Sequence, residues 1–207
     1  MTKLNNKIMT WSRIIYANKK KILISLFLLV LALSIYLMSG DYLNDHDNYA
    51  AAPDLILDHF GPYDLSLIYV WFFLAVIVIY FSYPLIFKPN ELHYYISIFS
   101  LFIVIRSGFV IFTHLGVPLD AVTITFPGRA QLLNFTNDLF FSGHTGIPFL
   151  GFLVFKEKKI LRYFMLCASI ILGITVLLMH VHYSIDVFSA FFITYGVYKI
   201  GNKFIRK

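Results

Sequence analysis

The chain has a single cysteine, Cys167. One thiol excludes an intrachain disulfide and a cysteine-based metal site. Its place in an apolar run reads as a buried thiol, which says nothing about redox compartment. No internal repeat and no low-complexity segment interrupts the sequence. There is also no room for a separate soluble domain. Hydrophobic residues make up 59% of the 207 residues and aromatic residues 18%, and the mean hydropathy is +0.75. A soluble domain of this length would have to hide nearly all of that surface, so lipid is its natural solvent. At about 20 apolar residues per spanning helix, the length allows roughly six or seven spans.

Six apolar stretches stand out. They run from Ile22 to Met38, Leu65 to Phe87, Tyr94 to Thr113, Gly143 to Phe155, Leu161 to Met179 and Ser184 to Ile200. The fourth is short for a bilayer. The polar lead-in to the first is long, and no small-residue cleavage site follows it, so it reads as a retained signal-anchor rather than a signal peptide. Within that lead-in, Ile8 to Ala17 carries Trp11, Ile14, Ile15 and Tyr16 among polar residues. It reads as an interfacial helix or a disordered leader. The expected fold is an all-α membrane protein, one domain over residues 1–207. It comprises a leader (1–21), a six-helix core (about 22–200) and a short tail (201–207).

Charge sets the expected orientation. The net charge is +6. With six spans, 15 of the 17 basic residues fall on the side of both termini, which makes that side cytoplasmic. All nine aspartates fall on the opposite side or at its edge, six of them in the first outer loop. The basic surplus therefore reads as topology and attraction to anionic lipid, not nucleic-acid binding. The expected location is a multi-pass position in the plasma (cell inner) membrane.

Two basic residues break the pattern. Arg129 lies in the outer loop between the third and fourth stretches, and Arg106 lies inside the third span near its outer end. A charge at that depth costs several kcal/mol unless a polar cavity or a partner receives it. Arg106 is thus either a phosphate-binding residue or a structural arginine paired with an outer-side aspartate. Ser142-Gly143-His144-Thr145 opens the fourth stretch. Ser-Gly before an apolar helix is N-cap chemistry, and the free N–H groups of a helix start suit a phosphate. Pro148 could kink this helix, although proline is tolerated in first turns. At the entrance to the sixth stretch, His182 and Asp186 are spaced i, i+4 and share one helix face. A carboxylate against an imidazole fixes its tautomer and raises its basicity, as a nucleophilic or basic histidine requires. The alternative is a capping aspartate beside an interfacial histidine. Metal binding by His144, His180, His182 and Asp186 is the rival chemistry. His114 and His180 stay ambiguous. His46, His59 and His93 read as loop or boundary residues.

Asp138-Leu-Phe-Phe-Ser-Gly-His-Thr145, followed by His182-Tyr-Ser-Ile-Asp-Val187, resembles the sphingomyelin synthase family of the type 2 phosphatidic acid phosphatase superfamily. The stretch Arg106 to Pro118 also looks like a family segment. The resemblance implies an enzyme in which His182, activated by Asp186, attacks the phosphorus of a phospholipid head group. His144 then protonates the departing oxygen. Arg106, Arg129, Ser142, Gly143, Asp138 and Tyr183 become candidate substrate and phosphate contacts. The implied partners are a membrane phospholipid and a lipid alcohol such as ceramide or diacylglycerol, and no metal or cofactor is implied. The departures are Thr136 and Asn137 in place of the usual cysteine and glycine, and Val176 where classical lipid phosphatases place an arginine. The classical lysine-plus-arginine-proline motif is also missing. This absence and that of the arginine at Val176 shift the expectation from hydrolysis toward head-group transfer, with a phosphatase or phospholipase C-like hydrolase as the alternative.

Overall fold

A computed structural model describes residues 11–45, 49–135 and 137–206. The expectations on the first ten residues, His46, Asp47, Thr136 and Lys207 fall outside them. The described residues are helical, with no strand among them. Residues 11–17 are helical and lead into α1, Lys19–Asp45. The others are α2 (Ile68–Phe87), α3 (Leu92–Phe112), α4 (Gly143–Val154), α5 (Lys159–Leu178) and α6 (Ser184–Phe204).

Each of the six apolar stretches is a helix, and the breaks have local causes. Lys88-Pro89 stops α2, because a residue before proline avoids helical backbone, and Pro89–Glu91 forms a single 3-10 turn before α3. Four helices are long and apolar enough to cross a membrane: α1, α2, α3 with its leading turn, and α5. The chain is thus an integral membrane protein by this measure, with four candidate spans. α4 has only 12 residues. α6 has 21, but Asp186, Tyr195, Tyr198 and Lys199 dilute its apolar character.

The helices are unequal in burial. In α3, 61% of the apolar window is buried, against 17% in α1. α3 packs chiefly on α1, while α4 is held among α3, α5 and α6. Close approach explains the glycines of α4. A Cβ on Gly146 would stand 2.8 Å from the Phe102 ring and 3.0 Å from Thr194 Oγ1. Small residues let helix backbones meet where lipid supplies no hydrophobic drive. From α5, Ser169 Oγ donates to Thr145 O at 2.7 Å.

The lead-in is docked rather than free over its described part. Trp11 Nε1 donates to Leu85 O at 2.8 Å, and Ile15 packs with Ile22, Leu92 and Ile96. One expectation is corrected. Cys167 is exposed on the outer face of α5, because the buried stripe there is formed by Met165, Ala168, Ser169 and Leu172. An apolar run in a membrane protein does not imply burial in protein, since lipid covers the outward face.

Candidate active site

The starts of α4 and α6 meet. Ser142 N–H donates to Asp186 O at 3.1 Å, which ties the S-G-H-T segment directly to the H-Y-S-I-D segment. Residues 141–148 are all buried, so the start of α4 is enclosed between helices. Ser142 caps it, its Oγ accepting from Thr145 N–H at 3.4 Å. Pro148 does not end the helix, which runs on to Val154.

His182 and Asp186 form the expected pair. His182 Nδ1 lies 3.2 Å from Asp186 Oδ2, with both side chains buried. An ionised carboxylate can only accept, so the Nδ1 position carries the proton and Nε2 keeps its lone pair. The same Oδ2 accepts from Tyr183 N–H at 2.9 Å. Asp186 therefore serves both readings offered by its spacing: it orients His182 and closes the first turn of α6. Tyr183 is anchored through its hydroxyl, which donates to Gly116 O at 2.8 Å and accepts from Ala52 N–H at 3.0 Å.

His144 sits between two rings of α2. The Tyr69 ring stacks on it at 3.8 Å between centroids and the Phe73 ring at 3.9 Å. Residues 68–72 form a π turn, a local irregularity common at functional sites. His144 Nε2 is buried with no hydrogen-bond partner, as is Asp186 Oδ1. A buried polar atom without a partner costs about 1–3 kcal/mol, so such atoms mark where a ligand can repay the deficit. His144 lies within electrostatic reach of His182 and Arg106.

Arg106 is committed to the loop before α4. Its Nη1 bridges both oxygens of Asp138 at 2.7 and 2.8 Å, its Nη2 donates to Asp138 O at 3.1 Å, and its Nε donates to Phe141 O at 2.8 Å. A Cβ on Gly143 would stand 3.2 Å from Arg106 Nε, so the glycine admits the guanidinium against the helix start. Tyr36 from α1 donates to Asp138 Oδ2 at 2.8 Å. Both candidate phosphate contacts, Arg106 and Asp138, thus bind each other, which is the structural alternative for Arg106. Arg129 is exposed on a 3-10 turn, Gly128–Leu133. Phe126, on the same loop, reaches within 6.4 Å of the His144 ring.

Three features had no sequence signal. Asp54, from the segment between α1 and α2, caps α6: its Oδ2 accepts from Ser184 N–H at 2.7 Å and Ser184 Oγ at 2.9 Å. Burial pushes its pKa up, but the bonds from Ser184, Ile56 and Leu57 outweigh that and hold it below the ordinary carboxylate value. His180 Nδ1 lies 2.8 Å from Asp120 Oδ1, and this bond lowers the Asp120 pKa. The aromatic clamp on His144 is the third. His114 pairs with Tyr42 Oη at 3.1 Å and stacks on Tyr49. Among the described residues, no three histidines, cysteines or acids are grouped to hold a metal ion.

The fold and site define a class: an all-helical integral membrane protein with two histidines gathered at the joined starts of two helices. Residues 136–203, about a third of the chain, match the family described as PAP2 superfamily C-terminal. The match supports the type 2 phosphatidic acid phosphatase superfamily, whose members are generally phosphatases or phosphotransferases, and so supports an enzyme. It covers α4 to α6 and thus both histidine motifs. No curated protein and no solved structure matches the chain.

Proposed function

We propose that the protein is a sphingomyelin synthase-like phosphotransferase that moves a phospho-head group from a phospholipid to a lipid alcohol. The observation that carries the reading is the Ser142–Asp186 backbone bond, which joins the His182–Asp186 pair to the helix start bearing His144. His182 Nε2 attacks the phosphorus, a P–N bond forms and the P–O bond to diacylglycerol breaks. His144 gives its proton to the departing oxygen. The acceptor hydroxyl then attacks phosphorus, the P–N bond breaks, and the hydroxyl proton returns to His144. The N–H groups of the α4 start and a nearby cation offset the charge on the phosphoryl oxygens, the main task in phosphoryl transfer. Of the two arginines away from the basic end, Arg129 makes no hydrogen bond or ion pair among the described residues and is the candidate cation, while Arg106 acts by holding Asp138 and Phe141 in place.

The site is read as facing outward, with six spans and both termini in the cytoplasm. Support comes from the gathering of basic residues at the other end of the bundle. Lys88 pairs there with Glu157, Arg206 with Glu91 at 3.8 Å, and Lys156 sits over the Tyr198 ring.

The test is an assay in liposomes with a head-group-labelled phospholipid, with and without ceramide or diacylglycerol. Label appearing on the added lipid alcohol is the expected result. Water-soluble label alone would replace transfer by hydrolysis at the same site. No turnover across a panel of phospholipids would overturn both.

A further inference from the structure

A second imidazole–carboxylate pair faces a separate space. A cavity of about 710 Å³ lies at the outer end, its walls including Asp54, Asp58, Phe60, Asp120, His180 and Tyr183. No lysine or arginine is among its lining residues, so it does not suit a phosphate. Tyr183 forms part of its wall, and Asp186 Oδ2 holds both the Tyr183 N–H and His182 Nδ1, which links that wall to the His182–Asp186 pair.

His180 is 3% exposed, and its backbone is left-handed, with φ 55°. A non-glycine residue is held in that region only when its surroundings over-determine it, commonly at ligand clamps. Those surroundings are Val181 N–H on Val176 O, Val122 N–H on Met179 O and Tyr63 N–H on Leu178 O. Asp120 accepts from His180 Nδ1, so Nε2 is left as an acceptor, and it is buried with no partner. The bond Asp120 makes is shorter than that between Asp186 and His182.

We propose that this cavity receives the far end of the lipid head group and that His180 Nε2 accepts a hydrogen bond from it. The cavity therefore selects head groups ending in a donor, a primary ammonium or a hydroxyl, over a trimethylammonium, which has no N–H to give. The wall carboxylates add acceptors for an N–H or O–H. Their charge attracts either ammonium, so the discrimination against trimethylammonium rests on the hydrogen bond to His180 Nε2. This inference rests on the head-group reaction proposed above for His182. His180 binds the head group and Asp120 positions His180; neither takes part in bond exchange.

The experiment uses the full chain in liposomes with phosphatidylethanolamine, phosphatidylglycerol and phosphatidylcholine of identical acyl chains. Calorimetric titration with the soluble glycerophospho forms of the same head groups runs in parallel. One buried hydrogen bond gained or lost predicts a KM for the two donor head groups about ten-fold below that for choline. In Asp120→Ala, an exposed loop position, and in His180→Asn, which tolerates left-handed backbone, that ratio should fall to within about two-fold. Equal KM values in the wild type, or a ratio kept in both variants, would overturn the cavity assignment and leave the reaction standing. Selective binding of the soluble forms with no turnover of any lipid would sustain the cavity and overturn the reaction. Neither turnover nor selective binding would overturn both.

Discussion

The two ends of the helix bundle use charge in opposite ways. At the basic end the pairs are exposed: Lys88 with Glu157, whose side chain is 63% exposed, and Arg206 with Glu91. Exposed pairs of this kind contribute about 0–1 kcal/mol. At the acidic end two pairs are buried, while Asp120, paired with His180, stays exposed. Asp186 is fully buried against His182, and Arg106 with Asp138 is nearly so. Burying a pair costs desolvation energy that its own attraction rarely exceeds, yet removing one partner is severe. The lesson is that the acidic end carries pairs that lipid and packing alone would not favor. Such pairs persist where position and chemistry depend on them.

The largest expected effect lies at the dyad. His182→Ala should lower kcat by about 10³-fold or more, whereas Lys88→Ala at the other end should stay within about two-fold in kcat. A steady-state assay on both variants tests the contrast, and equal losses would erase it. Asp186→Asn should lower kcat by about 10²–10⁴-fold, as for loss of a tautomer-fixing carboxylate. Full activity in a folded Asp186→Asn protein would sink the dyad.

Arg106→Leu should act on folding. It leaves Asp138 buried without its partner, a loss of about 3–5 kcal/mol, read as a lower midpoint of thermal unfolding in detergent. Arg106→Leu with Asp138→Leu should recover much of that loss. If the single variant stays fully stable and loses only turnover, Arg106 holds phosphate rather than the loop.

A smaller effect is expected at Asp54. Asp54→Ala removes the α6 cap, worth about 1–2 kcal/mol. The acid limb gives a second reading. The folded pKa of Asp54 lies below its ordinary value, so its contribution is present above the ordinary carboxylate range. It is lost as pH falls through the lower folded value. Wild type should therefore lose stability steeply below that range, and Asp54→Asn less steeply, because its contribution is already absent at neutral pH. Parallel acid limbs would count against the cap. Glu157→Gln should change stability least, by about 1 kcal/mol or less.

What could be read in the sequence was whatever repeats or closes locally. The six helices were legible because apolar runs end at Lys88-Pro89, at Lys156-Glu157-Lys158 and at the His180–Tyr183 corner. The His182–Asp186 pair was legible because four residues make one helical turn. Its neighbors were not. Asp54 caps a helix 130 residues away, Asp120 pairs with a histidine 60 residues on, and Tyr69 and Phe73 reach His144 from another helix. Such contacts follow from packing and leave no local pattern. Arg106 was visible as an anomaly, but only the packed loop shows that Asp138 receives it. Cys167 was misread because burial by lipid and burial by protein look alike in an apolar run.

The most direct test of the central claim is to trap the covalent step. The protein in liposomes is mixed with head-group-labelled phospholipid, quenched in alkali and digested, and the labelled peptide is sequenced by mass spectrometry. The expected result is label on His182, absent in His182→Ala and accumulating in the absence of a lipid alcohol. Label on another residue, or turnover that survives in His182→Ala, would contradict it.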